Sequence, residues 1–154
     1  MDYLELDKKK ILEYQQNRDP YLMIDHANKV FPGKSAEGYK LLLEDEWFFK
    51  VHWPGDPNMP GMLQTEALIQ MSALIVQTMP GNKGKTLYLV DANNLKFIKK
   101  ILPGDKLKIF SKLTSWKRGL IKFDAEGFID DKKTCRASFT LVIPGSIDVN
   151  IKTI

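Results

Sequence analysis

Between Gly61 and Met79 the apolar residues fall on almost every side of a helical projection. Met62, Leu63, Ala67, Leu68, Ile69, Met71, Ala73, Leu74, Ile75 and Val76 leave no wide polar face. A helix apolar all round is a buried helix. Pro60 suits its first turn, and Pro80-Gly81 stops it. Downstream, four segments alternate apolar and polar residues: Thr86 to Phe97, Lys106 to Lys117, Leu120 to Ile129 and Thr134 to Ile143. Pro103-Gly104-Asp105, Arg118-Gly119 and Asp130-Asp131-Lys132-Lys133 divide them, which predicts an antiparallel meander. Upstream, Tyr21 to Phe31 and Ala36 to Leu43 read as a strand pair about Pro32-Gly33-Lys34. Lys8 to Gln16 reads as a short polar helix ended by Asn17-Arg18-Asp19-Pro20, and Glu44 to Lys50 as a single helical turn. One long buried helix against a sheet of about six strands implies an α+β architecture, the sheet curving around the helix.

Length and composition narrow the class. At 154 residues and 44% hydrophobic, the chain has the size of a single domain spanning 1–154. No window approaches the roughly 20 apolar residues that span a bilayer, and Met1 to Lys10 is too charged for a secretory signal. A soluble cytoplasmic protein is expected. The single cysteine, Cys135, excludes an intramolecular disulfide and reads as a packing residue, and two histidines form no metal-binding cluster, so no metal is expected. The excess of 23 Lys and Arg over 19 Asp and Glu, +4, favours acidic partners without requiring nucleic acid. Basic residues gather at Lys96, Lys99 and Lys100 and at Lys117-Arg118, with Lys106 and Lys108 between. They form either one positive face or a strand edge protected by lysines.

The candidate chemistry sits just before and inside the buried helix. His52 follows Phe48-Phe49 and precedes Trp53-Pro54-Gly55, in a loop stiffened by Pro54, Pro57 and Pro60. A histidine there can exchange protons near neutral pH, or simply pack. Glu66 is a carboxylate inside an apolar helix, where burial raises its pKa and the helix N-terminus opposes the rise; at the edge of the buried face it would instead reach water. Gln70, one turn on, can hold that carboxyl. Gly61 begins the helix, where free backbone N–H groups can receive a developing oxyanion, or where it merely completes a Pro-Gly turn. A base, a proton donor and an oxyanion donor within one short segment fit proton abstraction beside a carbonyl with loss of a β-hydroxyl. His26, in an apolar strand, reads as structural, and Asp91 with Asn93-Asn94 reads equally as channel lining or strand edge.

The run His52-Trp53-Pro54-Gly55-Asp56-Pro57-Asn58-Met59-Pro60-Gly61-Met62-Leu63-Gln64-Thr65-Glu66-Ala67-Leu68-Ile69-Gln70 resembles the signature of the β-hydroxyacyl-acyl-carrier-protein dehydratases, which have the hotdog fold. Pro20-Tyr21-Leu22-Met23-Ile24-Asp25, Lys96-Phe97 and Pro103-Gly104-Asp105-Lys106-Leu107 extend the resemblance over about residues 17 to 143, leaving 1–16 as an N-terminal extension and 144–154 as a tail. The resemblance implies His52 as base on the α-carbon, Glu66 as acid for the departing hydroxyl and Gly61 N–H on the thioester carbonyl, with Gln70 beside the substrate. It implies no dissociable cofactor, the substrate arriving on the phosphopantetheine of acyl carrier protein. Lys96, Lys99, Lys100, Lys117 and Arg118 become candidate docking residues for that acidic partner. It further implies a homodimer with His52 and Glu66 facing each other across the interface, and hexamers as trimers of dimers.

The chain departs from the family pattern at Val51, where glycine is usual, at His26, where an arginine or lysine is common, and at Asp19, where an aromatic is common. Lys100-Ile101-Leu102 replaces an Arg-Pro-Val type sequence. These departures bear on substrate range. Glutamate rather than aspartate at position 66 resembles the branch that dehydrates without isomerising. The rival readings are a hotdog acyl-CoA thioesterase and a non-catalytic acyl-binding or dimerisation module.

Overall fold

The computed structural model describes residues 2–146, so the tail predicted at 144–154 lies outside the described residues from 147 on. In chain order the elements are β1 (Leu4–Leu6), α1 (Lys8–Tyr14), β2 (His26–Phe31), β3 (Ser35–Leu41), α2 (Trp47–Val51), α3 (Gly61–Gln77), β4 (Tyr88–Phe97), β5 (Lys106–Lys117), β6 (Leu120–Ile129) and β7 (Lys132–Val142). They form one sheet ordered β1-β2-β3-β5-β6-β7-β4, antiparallel throughout, with α3 against it. This is the expected α+β arrangement.

The sheet must bend to do what it does. Five strands, β2, β3, β5, β6 and β7, all touch α3. Laid flat, five strands are about 19 Å across, roughly twice the width of a bare helix, so only a curved sheet brings all of them into contact. The inward positions alternate as the sequence pattern requires: Leu107 and Ile109 on β5, Ile121, Phe123 and Ala125 on β6, Ala137, Phe139 and Leu141 on β7. Phe123 and Phe139 stack at 5.7 Å between centroids. From the helix side, Leu68, Met71, Leu74, Ile75 and Val76 are buried against them.

Gly38 governs how closely β3 approaches the β2 backbone beneath α3. A Cβ there would collide with the backbone carbonyl of His26 and lie 2.6 Å from Met71 Cε and 2.8 Å from Ala27 Cα. Glycine therefore lets β2, β3 and α3 meet at one point. Among the polar groups on the buried helix, the Ser72 hydroxyl bonds Leu68 O and shares a bond with Ser111 of β5, whereas Gln64 Oε1 and Gln77 Oε1 are buried without a partner.

The structure refines three expectations. The sheet has seven strands rather than about six, because Leu4–Leu6 of the N-terminal extension pairs with β2. The four downstream strands are not a simple meander: β4 pairs with β7 at the far edge, and only β5, β6 and β7 run consecutively. The cause is the β4–β5 connection. It is too long for a hairpin and crosses the ends of β6 and β7, its own Ile101 turned inward and buried. The first strand is also shorter than its apolar stretch, since Leu22, Met23 and Ile24 are buried in coil ahead of β2.

Gly38→Ala should lower stability by at least ~3 kcal/mol, because the obstacles are backbone atoms that cannot move aside. Gly55→Ala, with nothing within 4 Å of the added methyl, serves as the control and should leave the melting temperature nearly unchanged. Paired thermal melts of the two variants check this.

Candidate active site

His52 caps the C-terminus of α2, its N–H donating to Phe48 O at 2.9 Å. Phe48 and Phe49 are buried and pack edge to face at 4.8 Å, which anchors this one-turn helix to the core. The imidazole stacks on Trp53 at 4.5 Å and 17°, and its Nδ1 lies 3.1 Å from Asn58 O. A carbonyl only accepts, so in the neutral ring the proton sits on Nδ1. Nε2 is then left with its lone pair, the state a general base needs.

The loop bearing Asn58 is itself held. Met59 N donates to Ile101 O at 2.8 Å, and Gln64 Nε2 to Met59 O at 2.9 Å. Asn58 Nδ2 bonds Asp56 O at 2.7 Å. His52, Trp53, Asn58, Gly61, Phe97 and Lys99 line a common open depression of about 380 Å³. Gly61 is the first residue of α3, where backbone donors are unpaired. The Phe97 ring, at the end of β4, lies so near that a Cβ on Gly61 would be 3.0 Å from it.

Glu66 stands elsewhere on the helix. Five residues beyond Gly61, it is rotated by about 140° around α3. It belongs to a partly open stripe with Met62 and Ile69, which the sheet does not cover. Burial pushes its carboxyl above the ordinary carboxylate value, and a hydrogen bond from Gln70 Nε2 at 2.9 Å opposes the rise. Tyr21 is raised in turn, first by burial and then by the charge of Glu66. Gln70 is fully used: Oε1 accepts from Met23 N at 2.7 Å, Nε2 also donates to Tyr21 O at 2.9 Å, and its backbone carbonyl accepts from the Gln15 side chain. It fixes both the carboxyl and the segment ahead of β2.

Within one chain, then, His52 and Gly61 come together, and Glu66 and Gln70 come together. Among the described residues no hydrogen bond or ion pair joins the two groups. The basic candidates also divide. Lys99 and Lys100 line the His52 depression, Lys100 pairing with Asp56 at 2.6 Å, and Lys96 lies just before them near the end of β4. Lys117-Arg118 forms the β5–β6 turn at the other end of the sheet, since Ile121 aligns with Leu141 and Leu141 with Leu89 near the start of β4. A single chain therefore does not gather them onto one positive face. Lys106 and Lys108 are engaged elsewhere, with Tyr39 and Asp131.

His26 stacks on Tyr39 and bonds Glu5 at 2.9 Å, apart from this chemistry. Cys135 is buried, its thiol pushed up to about 11 by that burial, which suits packing rather than attack. Among the described residues no three His, Cys, Asp or Glu side chains are grouped to hold a metal, and no helix is long and apolar enough to cross a membrane. Two site features escaped the sequence reading. Asn58 acts through its carbonyl, which any residue possesses, and Phe97 reaches Gly61 only through strand order.

Comparison with known proteins identifies the family and the fold. A family model described as a FabA-like domain matches residues 16–138. The chain is 35% identical to the 3-hydroxyacyl-(acyl-carrier-protein) dehydratase FabZ of Alkaliphilus metalliredigens, over 91% of this chain and 95% of that protein. With the Clostridium botulinum (strain Okra) protein of the same name it shares 38% identity over 90% and 96%. Among solved structures it is similar to the dehydratase heterocomplex ApeI:P of Xenorhabdus doucetiae, with a TM-score of 0.75 and 12% identity over 87% of this chain and 90% of that one. A hypothetical thioesterase with coenzyme A from Streptococcus pneumoniae gives 0.61 and 16%, over 79% and 86%. At such identities the structures speak for the hotdog fold alone. The family domain and the curated relatives identify the lineage: the chain belongs to the FabA-like family, in its FabZ group.

Proposed function

We propose that this protein is a cytoplasmic hydro-lyase that converts a β-hydroxyacyl-acyl-carrier-protein to the trans-2-enoyl thioester during fatty-acid synthesis. The observation that carries this is the Asn58 carbonyl at His52 Nδ1, which leaves Nε2 basic beside the open N-terminus of α3. His52 Nε2 takes the α-proton. Charge moves onto the thioester oxygen, which Gly61 N–H receives. The β C–O bond then breaks, and the hydroxyl leaves as water with the proton of Glu66. Burial favours this role, because it keeps the carboxyl protonated to higher pH than in water.

Glu66 must come from a second subunit for this to occur at one site. Two features support that reading. Within the chain the two groups lie on different sides of α3. β4, meanwhile, is an edge strand exposed along its length, with Tyr88, Leu89, Val90 and Phe97 open. Such an edge is a template for a second copy, and antiparallel pairing of two β4 strands continues the sheet. The homodimer is the minimal unit, and a hexamer is three of them. That pairing also reverses the second subunit, so its Lys117-Arg118 turn comes to the same end as Lys96, Lys99 and Lys100 of the first. Together these residues form the docking face for acyl carrier protein, and no dissociable cofactor is needed.

Purified protein given β-hydroxybutyryl-acyl-carrier-protein should form the enoyl thioester reversibly, as read by mass spectrometry. Release of free acid instead would favour thioester hydrolysis. His52→Ala and Glu66→Gln should each lower turnover by at least about 100-fold. Mixed after co-refolding, the two inactive variants should recover activity, since hybrid dimers contain one site with both native groups; no recovery would place both groups in one chain.

Charge reversal at Lys99 and Lys100 should raise KM for the carrier-linked substrate several-fold more than for a small thioester analogue. Equal effects would remove them from the docking face.

Stability should also reveal Glu66. With the folded carboxyl held above its ordinary 4.5, ionisation penalises folding at every pH above the raised value and not below 4.5. Glu66→Gln should therefore melt higher than the native protein at pH 7, and the gain should vanish as pH falls towards 4.

A further inference from the structure

Lys40 lies on the inner face of β3, among the apolar residues that meet α3, with its side chain only 4% exposed. A buried ammonium demands a partner. It has one: Nζ lies 2.8 Å from Glu46 Oε1, and Glu46 is itself 15% exposed. Glu46 is the N-cap residue of α2, yet its carboxylate makes no capping bond to that helix. It turns inward to β3 instead. Among the described residues this is the sole ion pair that reaches α2, the helix whose last turn delivers His52.

Energetics argue against stability as its purpose. A buried pair is commonly neutral against well-packed apolar residues, because desolvation offsets the attraction. Its distinguishing property is direction: two short-range charges fix one distance and one angle where apolar packing tolerates several. The stretch between the partners is fixed as well, Leu42 N donating to Asp105 O at 2.9 Å and Leu42 O accepting from Gly104 N at 2.6 Å. α2 is thus tied at its start to the inner sheet and at its end, through His52, to Asn58.

We propose that the Lys40–Glu46 pair is a positioning device that sets the orientation of α2 and with it the His52 imidazole. Neither residue touches substrate. The inference rests on the base role of His52, and its test is arranged to stand apart from that role.

The variant is Lys40→Met with Glu46→Leu, which removes both charges and leaves neither unpaired. The melting temperature should stay within a few degrees. For the dehydration, kcat should fall about tenfold while KM stays within about twofold, since misplacing a base raises the barrier without weakening binding. The second readout does not depend on activity. The chain has two histidines, so the carbon-detected ring signals of His52 are assigned by comparison with His26→Gln. In the double variant the His52 signal should shift or broaden while that of His26 does not. A native His52 signal with native kcat overturns the proposal. If the double variant does not fold, Glu46→Gln carries the same readouts, and if neither folds the pair is a stability element and the proposal is wrong. If native protein shows no dehydration, the function fails, but the ring signals still decide the pair.

Discussion

α3 is apolar on so much of its surface that no single flat layer can cover it, and the sheet is shaped by that demand. Strands β2 to β7 curve until five of them lie against the helix, and a glycine at position 38 lets β3 come close to the β2 backbone beneath Met71 of the helix. Most polar groups that α3 carries inward find a match within reach, Gln64 Oε1 and Gln77 Oε1 being the exceptions. Gln64 bonds Met59 O, Thr65 bonds Gly61 O and Ser72 bonds both Leu68 O and Ser111. Gln70 does the most, since one side chain fixes a carboxyl and two backbone groups ahead of β2. The helix is at once the core and the frame on which the chemistry is mounted.

This division explains which features were legible in the sequence. The ends of α3 were readable because Pro60 and Pro80-Gly81 act on the backbone locally. Strands β5 to β7 were readable because burial on one face imposes alternation. The place of β4 was not, because strand order depends on where a connection crosses, and no alternation pattern encodes that. β1 was hidden by its brevity: three residues with one buried side chain give no period. Leu22 to Ile24 misled for the opposite reason, being buried without a strand.

The site divides along the same line. His52, Gly61, Glu66 and Gln70 were visible as residue types whose chemistry is costly or special where they stand. Their grouping was not, since rotation about α3 sends Glu66 away from Gly61. The Asn58 carbonyl that selects the tautomer of His52 leaves no trace in residue identity at all. Lys40 gives no such signal, because a lysine within a strand normally lies outward and its residue type does not announce an inward one.

One bond described above bears on how the protein comes into being. Met59 N reaches Ile101 O, and Asn58, beside Met59, is what orients the imidazole. Closing so long a loop is entropically unfavourable until the strands around it have formed. During synthesis His52 and Asn58 are made well before Ile101, so the bond that fixes their loop can form only afterwards. The proposed base is therefore oriented late in synthesis, after His52 itself has long been made.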